Sequence, residues 1–273
     1  MYRGEFSNAR THFDLAIARY DPAAHRQLRT RFGQDVRVVI LCQRAWVLWH
    51  LGYPAAALAD AEQSLSEARE IGQAATLAYG LMTAMIQMHC GNYANARGLA
   101  AELLSLADEI GSVYWKALGT LVQGWVSVLN GVPSDGAHKI IAGLNAMRPT
   151  GAKFMLPLSL IHLTAAHAEL GQLDDACHCV DETKAAIGTT GERAYEAEAI
   201  RIAGVVALRS SEQDTAAKAQ TYFEQALAVA RAQQGKSLEL RAAMSMAQLW
   251  RNQGKRDEAR ELLAPVYGWF TEG

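Results

Sequence analysis

The sequence predicts an all-α fold, an α-solenoid of elongated helix pairs, from two observations: a double rhythm of glycines and the helical periodicity between them. Gly33, Gly72, Gly111, Gly151, Gly191, Gly235 and Gly273 form one row, with successive steps of 39, 39, 40, 40, 44 and 38. A second row, Gly4, Gly52, Gly91, Gly131, Gly171 and Gly254, steps by 48, 39, 40 and 40, then reaches Gly254 through Ser211 by 40 and 43. More than half of the 22 glycines fall on this lattice. Glycine is favoured just past a helix C-terminus because it enters the left-handed conformation without steric cost. The lattice therefore marks helix ends, and each period of about 40 residues holds two helices and two turns.

Thirteen helices are expected, from residues 5–19 and 35–51 at one end to 236–253 and 256–268 at the other. Segments 73–90, 112–130 and 152–170 are long, apolar and nearly free of helix breakers, as buried helices should be. Their partners at 54–71, 93–110 and 256–264 place apolar residues at three- and four-residue spacing with charges between, the pattern of an outward-facing helix. Pro54 suits a first helical turn, where its missing N–H has no partner to lose. No segment reads as a strand.

Two columns of small residues accompany the turns. Seven before each second-row position stand Ala45, Ala84, Gly124, Thr164, Gly204 and Ala247. Five after it stand Ala9, Ala57, Ala96, Gly136, Ala176, Ala216 and Ala259. Small side chains at both places let two helices approach closely. The small, glycine, small triplet resembles the tetratricopeptide repeat, whose period is roughly 34 residues. Tyr93 and Phe6 fall on that motif's aromatic place after the turn, and Phe13 and Ala16 on its later ones. The repeats here are five or six residues longer, which implies longer helices. The resemblance implies a right-handed superhelix.

A solenoid grows by stacking neighbours rather than around one core, so residues 1–273 are read as a single repeat domain. Half the residues are hydrophobic, enough to fill the interfaces between successive pairs, and nothing in the composition points to disorder. The net charge of −2, with no dense lysine and arginine cluster, argues against nucleic acid as a partner. No uninterrupted apolar run reaches the roughly 20 residues needed to span a bilayer, and MYRGEFSNAR lacks a signal peptide's apolar core. A cytoplasmic protein with no membrane partner is the expectation. Cys42, Cys90, Cys177 and Cys179 lie in predicted helices at no framework spacing and are expected to be reduced.

Catalytic signatures are missing: there is no phosphate loop, no dinucleotide fingerprint, no HExxH and no GxSxG. The nearest group is Cys177-His178-Cys179 with His162 and His167 on the preceding helix. Successive helical residues point about 100° apart, so these three cannot converge on one metal while the segment stays helical. No catalytic residue, metal or cofactor is assigned, and the chain is expected not to be an enzyme.

In tetratricopeptide arrays the first helix of each pair lines the concave face. The matching positions give an apolar, sulfur-rich and aromatic half with Trp46, Trp49, His50, Met85, Met88, His89 and Trp125. Later repeats give a charged half with Arg201, Arg241 and Arg251. Such a groove suits a peptide or partner domain with an apolar segment and an acidic one. The competing reading is structural: the aromatics are core between repeats, and the arginines pair with glutamates on neighbouring helices.

Three stretches carry a further resemblance: Phe32 to Asp35, Ala45 to Pro54, and Lys236 to Gly273. They resemble the C-terminal tetratricopeptide-like region of bacterial multidomain signalling proteins, which join a class III adenylate or guanylate cyclase domain, or a DNA-binding domain, to a signal-transduction ATPase module. The resemblance spans essentially the whole chain and is most specific over the stretch from Lys236 to Gly273. It implies a fragment of a longer protein and a non-catalytic interaction and regulatory role beside a cyclase or ATPase. Alternatives are a small-molecule sensor of an ATPase-linked regulator and, last, a thiol- or metal-dependent enzyme. An enclosed pocket beside Trp46 and Trp125 favours the sensor, an open groove the scaffold, and convergence of Cys177, Cys179 and His167 the enzyme. Phe6, Phe13, Leu15 and Ile17 at one end, and Val266, Tyr267, Trp269 and Phe270 at the other, are expected to lack a cap and to drive a homodimer.

Overall fold

A computed structural model describes residues 1–210 and 213–272. The lattice positions Ser211 and Gly273 lie outside these residues. All regular structure in the described residues is helical. The long elements are α1 (Phe6–Ala18), α4 (Val36–His50), α5 (Pro54–Ile71), α6 (Ala74–Leu81), α7 (Thr83–His89), α8 (Tyr93–Glu109) and α9 (Val113–Leu129). They continue as α10 (Pro133–Met147), α11 (Leu156–Glu169), α12 (Leu173–Thr190), α13 (Glu196–Arg209), α14 (Thr215–Ala232), α15 (Lys236–Asn252) and α16 (Arg256–Tyr267). Two single-turn helices, α2 (Pro22–His25) and α3 (Arg29–Phe32), fill the connection from α1 to α4. The thirteen expected helices are present, with α6 and α7 together making one of them.

That helix divides at Met82, where the Met82 N–H donates to the Tyr79 carbonyl, three residues back. The Thr83 hydroxyl donates to Gly80 O at 2.5 Å and to Ala61 O on α5 at 3.0 Å. A side-chain hydroxyl competing for helix carbonyls tightens one turn and ties it to the neighbouring helix. The predicted helix at 152–170 starts late, at Leu156, because Met155 adopts a left-handed φ of 64° and Pro157 suits a first turn.

Every glycine with positive φ among the described residues lies on the lattice, from Gly4 to Gly254, at φ between 64° and 88°. Gly235 departs from the rule: Gln234 takes the left-handed place one residue earlier. The small columns meet as close helix contacts. A Cβ built on Gly124 would stand 3.1 Å from the Gly136 carbonyl, and one built on Gly136 2.9 Å from the Gly124 carbonyl. Ala45, Ala57, Ala84, Ala96 and Ala176 are all buried. Ala216 is a correction: α14 starts four residues after Ser211, whereas the equivalent helices start two after their glycine, and Ala216 is only partly buried while Ala219 is fully buried.

Successive pairs, α4/α5 through α15/α16, stack so that each first helix packs on the next: α4 on α6 and α7, then α7, α9, α11, α13 and α15 in turn. The array then returns on itself, because α15 also packs on α4. Ser237 of α15 donates to the carbonyl of Trp49. Arg193 and Ala194 donate their N–H groups to the Tyr2 carbonyl at 2.7 and 3.0 Å. The Ala56 N–H donates to Glu272, and Trp269 and Phe270 lie where a Cβ on Gly52 would sit, 3.1–3.2 Å away. Phe6 is fully buried and Val266 nearly so, while Leu15 and Tyr267 stay exposed. The expectation of uncapped ends is corrected at Phe6 and Val266, which are covered within the chain, whereas Trp269 is 46% exposed and Phe270 partly buried. The accessible surface is 12832 Å², about a tenth above the roughly 11,600 Å² of an average globular monomer of 29.7 kDa.

Candidate functional site

Closure turns the concave face into an interior. Trp46, Trp49, His50, Met85, Met88 and Trp125 are each no more than 6% exposed. Trp49 stacks on His89 with ring centroids 4.2 Å apart, and His89 Nε2 meets the Tyr195 hydroxyl at 2.9 Å. Phe6 stacks on His50 at 4.3 Å, and the Tyr195 ring stands edge-on to His50 at 4.9 Å and to Trp46 at 6.3 Å. Trp125 stacks on His162 at 5.8 Å. Burial pushes His50 and His162 down to about 3 and His89 well below the usual histidine range, so all three rings are neutral at pH 7. Both nitrogens of His50, Nε1 of Trp125 and Nε2 of His162 are buried without a hydrogen-bond partner in the protein.

The charged half divides differently. Arg201 donates to both Glu198 carboxylate oxygens at 2.8 Å, and Arg241 reaches across from α15 at 2.9 Å. Arg201 also donates to Ser245 at 3.1 Å. Burial alone raises the Glu198 pKa, but the two guanidinium groups outweigh it and hold the carboxyl at about 2. Arg201 and Arg241 are thus committed within the fold. Arg251 is exposed, at the edge of the last helix pair.

What remains open beside Trp46 is a cleft of about 140 Å³ between the N-terminal segment and three first helices. Tyr2, Trp46, Tyr79, Tyr114, Trp115 and Phe154 line it, with Gln43 accepting from the Tyr2 hydroxyl at 3.0 Å. Tyr79 and Tyr114 both stand edge-on to Trp115, at 5.3 and 5.0 Å, and Tyr2 edge-on to Phe154 at 5.4 Å. Sequence reasoning took only Trp46 from this group. The other aromatics carry a residue-type signal, but nothing local shows that the N-terminus and three repeats bring them together. A larger cleft of about 480 Å³ lies on the outside between α10, α11 and α12, with Leu144, Met147 and Leu156 on its walls and Arg148, Lys153 and Glu182 around them.

The cysteine and histidine group does not converge. Cys177 is exposed while Cys179 is buried, His178 lies 3.6 Å from Glu182, and His167 Nδ1 meets Gln172 at 2.7 Å. No group of three potential metal ligands gathers among the described residues. No helix there is long and apolar enough to cross a membrane.

No family model matches the chain, and no curated protein matches it in sequence. Solved structures do match. The apo form of RapI superposes with a TM-score of 0.66 at 12% identity, covering 97% of each chain. A Rap protein complexed with competence and sporulation factor gives 0.65 at 15% identity over 98% of this chain and 74% of that one. Aspartyl phosphate phosphatase F from Bacillus subtilis gives 0.59 at 12% identity over 86% and 60%. At these identities the likeness is one of fold: the chain is a tetratricopeptide-like helical repeat array of the same shape as these proteins.

Proposed function

We propose that this chain is a non-catalytic interaction and regulatory array that holds a peptide or partner protein by one inserted side chain at the aromatic cleft over Trp46. The volume carries this reading. Small-molecule pockets span roughly 300–1,000 Å³, whereas the cleft offers about 140 Å³, the room of one aromatic ring. Edge-on aromatic walls suit such an anchor, with Gln43 and the Tyr2 hydroxyl as polar guides. A solved array of like fold is complexed with competence and sporulation factor, which supports a regulatory ligand for this one. The residue resemblance to cyclase- and ATPase-type signalling proteins extends the proposal to neighbouring domains of a longer bacterial, cytoplasmic parent. An antibody against the chain should then detect a native product far longer than 273 residues.

Titrating the chain with short peptides that differ in one apolar or aromatic side chain, and following tryptophan fluorescence, tests the cleft. Saturable binding should vanish in Tyr79→Ala and Trp115→Ala and survive in Arg251→Ala. Binding that ignores the first two substitutions would overturn the assignment. The outer cleft favours a second reading, a small-molecule sensor, because its roughly 480 Å³ lies in the range of ligand pockets. On that reading Leu156→Trp, which fills the cleft, should abolish binding of a small ligand while leaving peptide binding unchanged.

A further inference from the structure

We infer that the open edge of the α15/α16 pair is a docking surface for an acidic amphipathic helix of a partner protein. The stacking order identifies the face. On the earlier pairs the residue ten before the turn is covered by the next first helix: Cys42, Leu81, Leu121 and Ile161 are at most 3% exposed, and the Arg201 side chain is 14% exposed. On the last pair the same place is Met244, 54% exposed. Three before the turn stand Trp49, Met88, Val128 and Ala168, all buried, then Leu208, 39% exposed beside α15, and Arg251, exposed. A helix laid on α15 as α15 lies on α13 would cover Met244 and leave Arg251 at its rim, within reach of a carboxylate beside the apolar stripe.

The chemistry of that face selects the helix. Met244, Arg251, Arg256, Arg260 and Leu263 line a pocket of about 480 Å³ that holds three guanidinium groups and no carboxylate. None of the three arginines forms an ion pair among the described residues, and Asp257, Glu258 and Glu261 of the same helix do not line the pocket. Arg256 and Arg260 are four apart on one helix, where like charges repel and cost stability. Solvation alone needs only polar residues of mixed sign. A continuing repeat would present an apolar side chain at the place of Arg251. Three same-sign groups around an apolar floor complement a helix that carries leucine-like side chains on one stripe and carboxylates beside it. The site uses none of the residues of the aromatic cleft, so it stands or falls separately from the function proposed above.

The experiment uses the 273-residue chain and a fluorescein-labelled synthetic helix with leucines at i, i+4 and i+7 flanked by glutamates, with a twin carrying lysines in their place. Fluorescence anisotropy should show the acidic peptide binding and the basic twin not, with affinity falling at least tenfold as salt is raised. Arg251→Ala should weaken the acidic peptide about tenfold. The double variant Arg251→Glu with Arg260→Glu should reverse the preference toward the basic twin. Trp115→Ala, in the aromatic cleft, should leave all of this unchanged. Equal affinity for both peptides, no binding of either, or an acidic-peptide affinity unmoved by the double variant would each overturn the proposal. Both arginines are exposed, so circular dichroism of the variants should match the parent.

Discussion

Gly124 and Gly136 meet so closely that backbone, not side chain, sets the limit. A Cβ on Gly124 would stand 3.0 Å from the Ile140 nitrogen, and one on Gly136 3.0 Å from the Val128 nitrogen. Gly124→Ala should therefore cost about 1–3 kcal/mol by urea unfolding, and Ala84→Leu and Ala96→Leu should overpack the equivalent contact by a similar amount. Gly98 and Gly188 are helical glycines with nothing within 4 Å of an added Cβ, so their change to alanine should stabilise by about 0.5–1 kcal/mol. Equal effects at both kinds of site would contradict the alignment. The buried histidines predict the acid response. Their folded-state pKa values lie below the unfolded value of 6.5, so the unfolded chain takes up protons first and stability falls as pH drops from 6.5, toward about 3 for His50 and His162, with His89 acting in the same direction. Each fully neutral histidine removes about 1.4 kcal/mol per pH unit in that window. Glu192 acts oppositely: burial raises it to about 7, so its contribution is complete below the unfolded 4.5 and is lost as pH rises through 7. Glu192→Gln should accordingly raise the melting temperature at pH 8 relative to the parent and not at pH 5. At this scale the small columns were legible because sterics act locally. The neighbours of His50 were not, since Phe6 and Tyr195 reach it from distant parts of the chain on either side.

Helix ends were the most legible elements, because a left-handed cap is decided by one residue, and the lattice glycines take that role wherever φ turns positive on a glycine. The division of α6 from α7 depends on Thr83 finding Ala61 on another helix, which no local pattern shows. The short helices α2 and α3 escaped notice for a different reason: they bury no residue and so leave no periodic signature. The role of α1 was the largest difference. Its first residue, Phe6, enters the interior against His50, and the preceding segment spans to Arg193 and Ala194. Phe6→Ala should cost about 3–5 kcal/mol. In hydrogen exchange, the Arg193 and Ala194 amides should lose protection along with it. Protection that persists in this variant would mean that α1 packs without holding the closure.

At the scale of the whole molecule, the class of fold was readable from rhythm alone, but the curvature was not. Whether a solenoid stays open depends on small rotations added over all its pairs. That sum brought α15 onto α4 and turned Trp49, Met85, Met88 and Trp125 from groove lining into core. The candidate cleft followed from the same closure, since Tyr2 faces Phe154 only after the chain has come round. Self-association through Phe6 loses its driving force for this reason, and the proposed partner sites are the aromatic cleft and the arginine edge. Small-angle X-ray scattering of the chain tests the closed array most directly. A compact chain of 273 residues has a radius of gyration of about 19 Å, and the closed array should lie within a few ångströms of it, with a single symmetric peak in the distance distribution. A radius a third larger, with a distribution trailing to long distances, would show an open superhelix with separated ends and contradict the account.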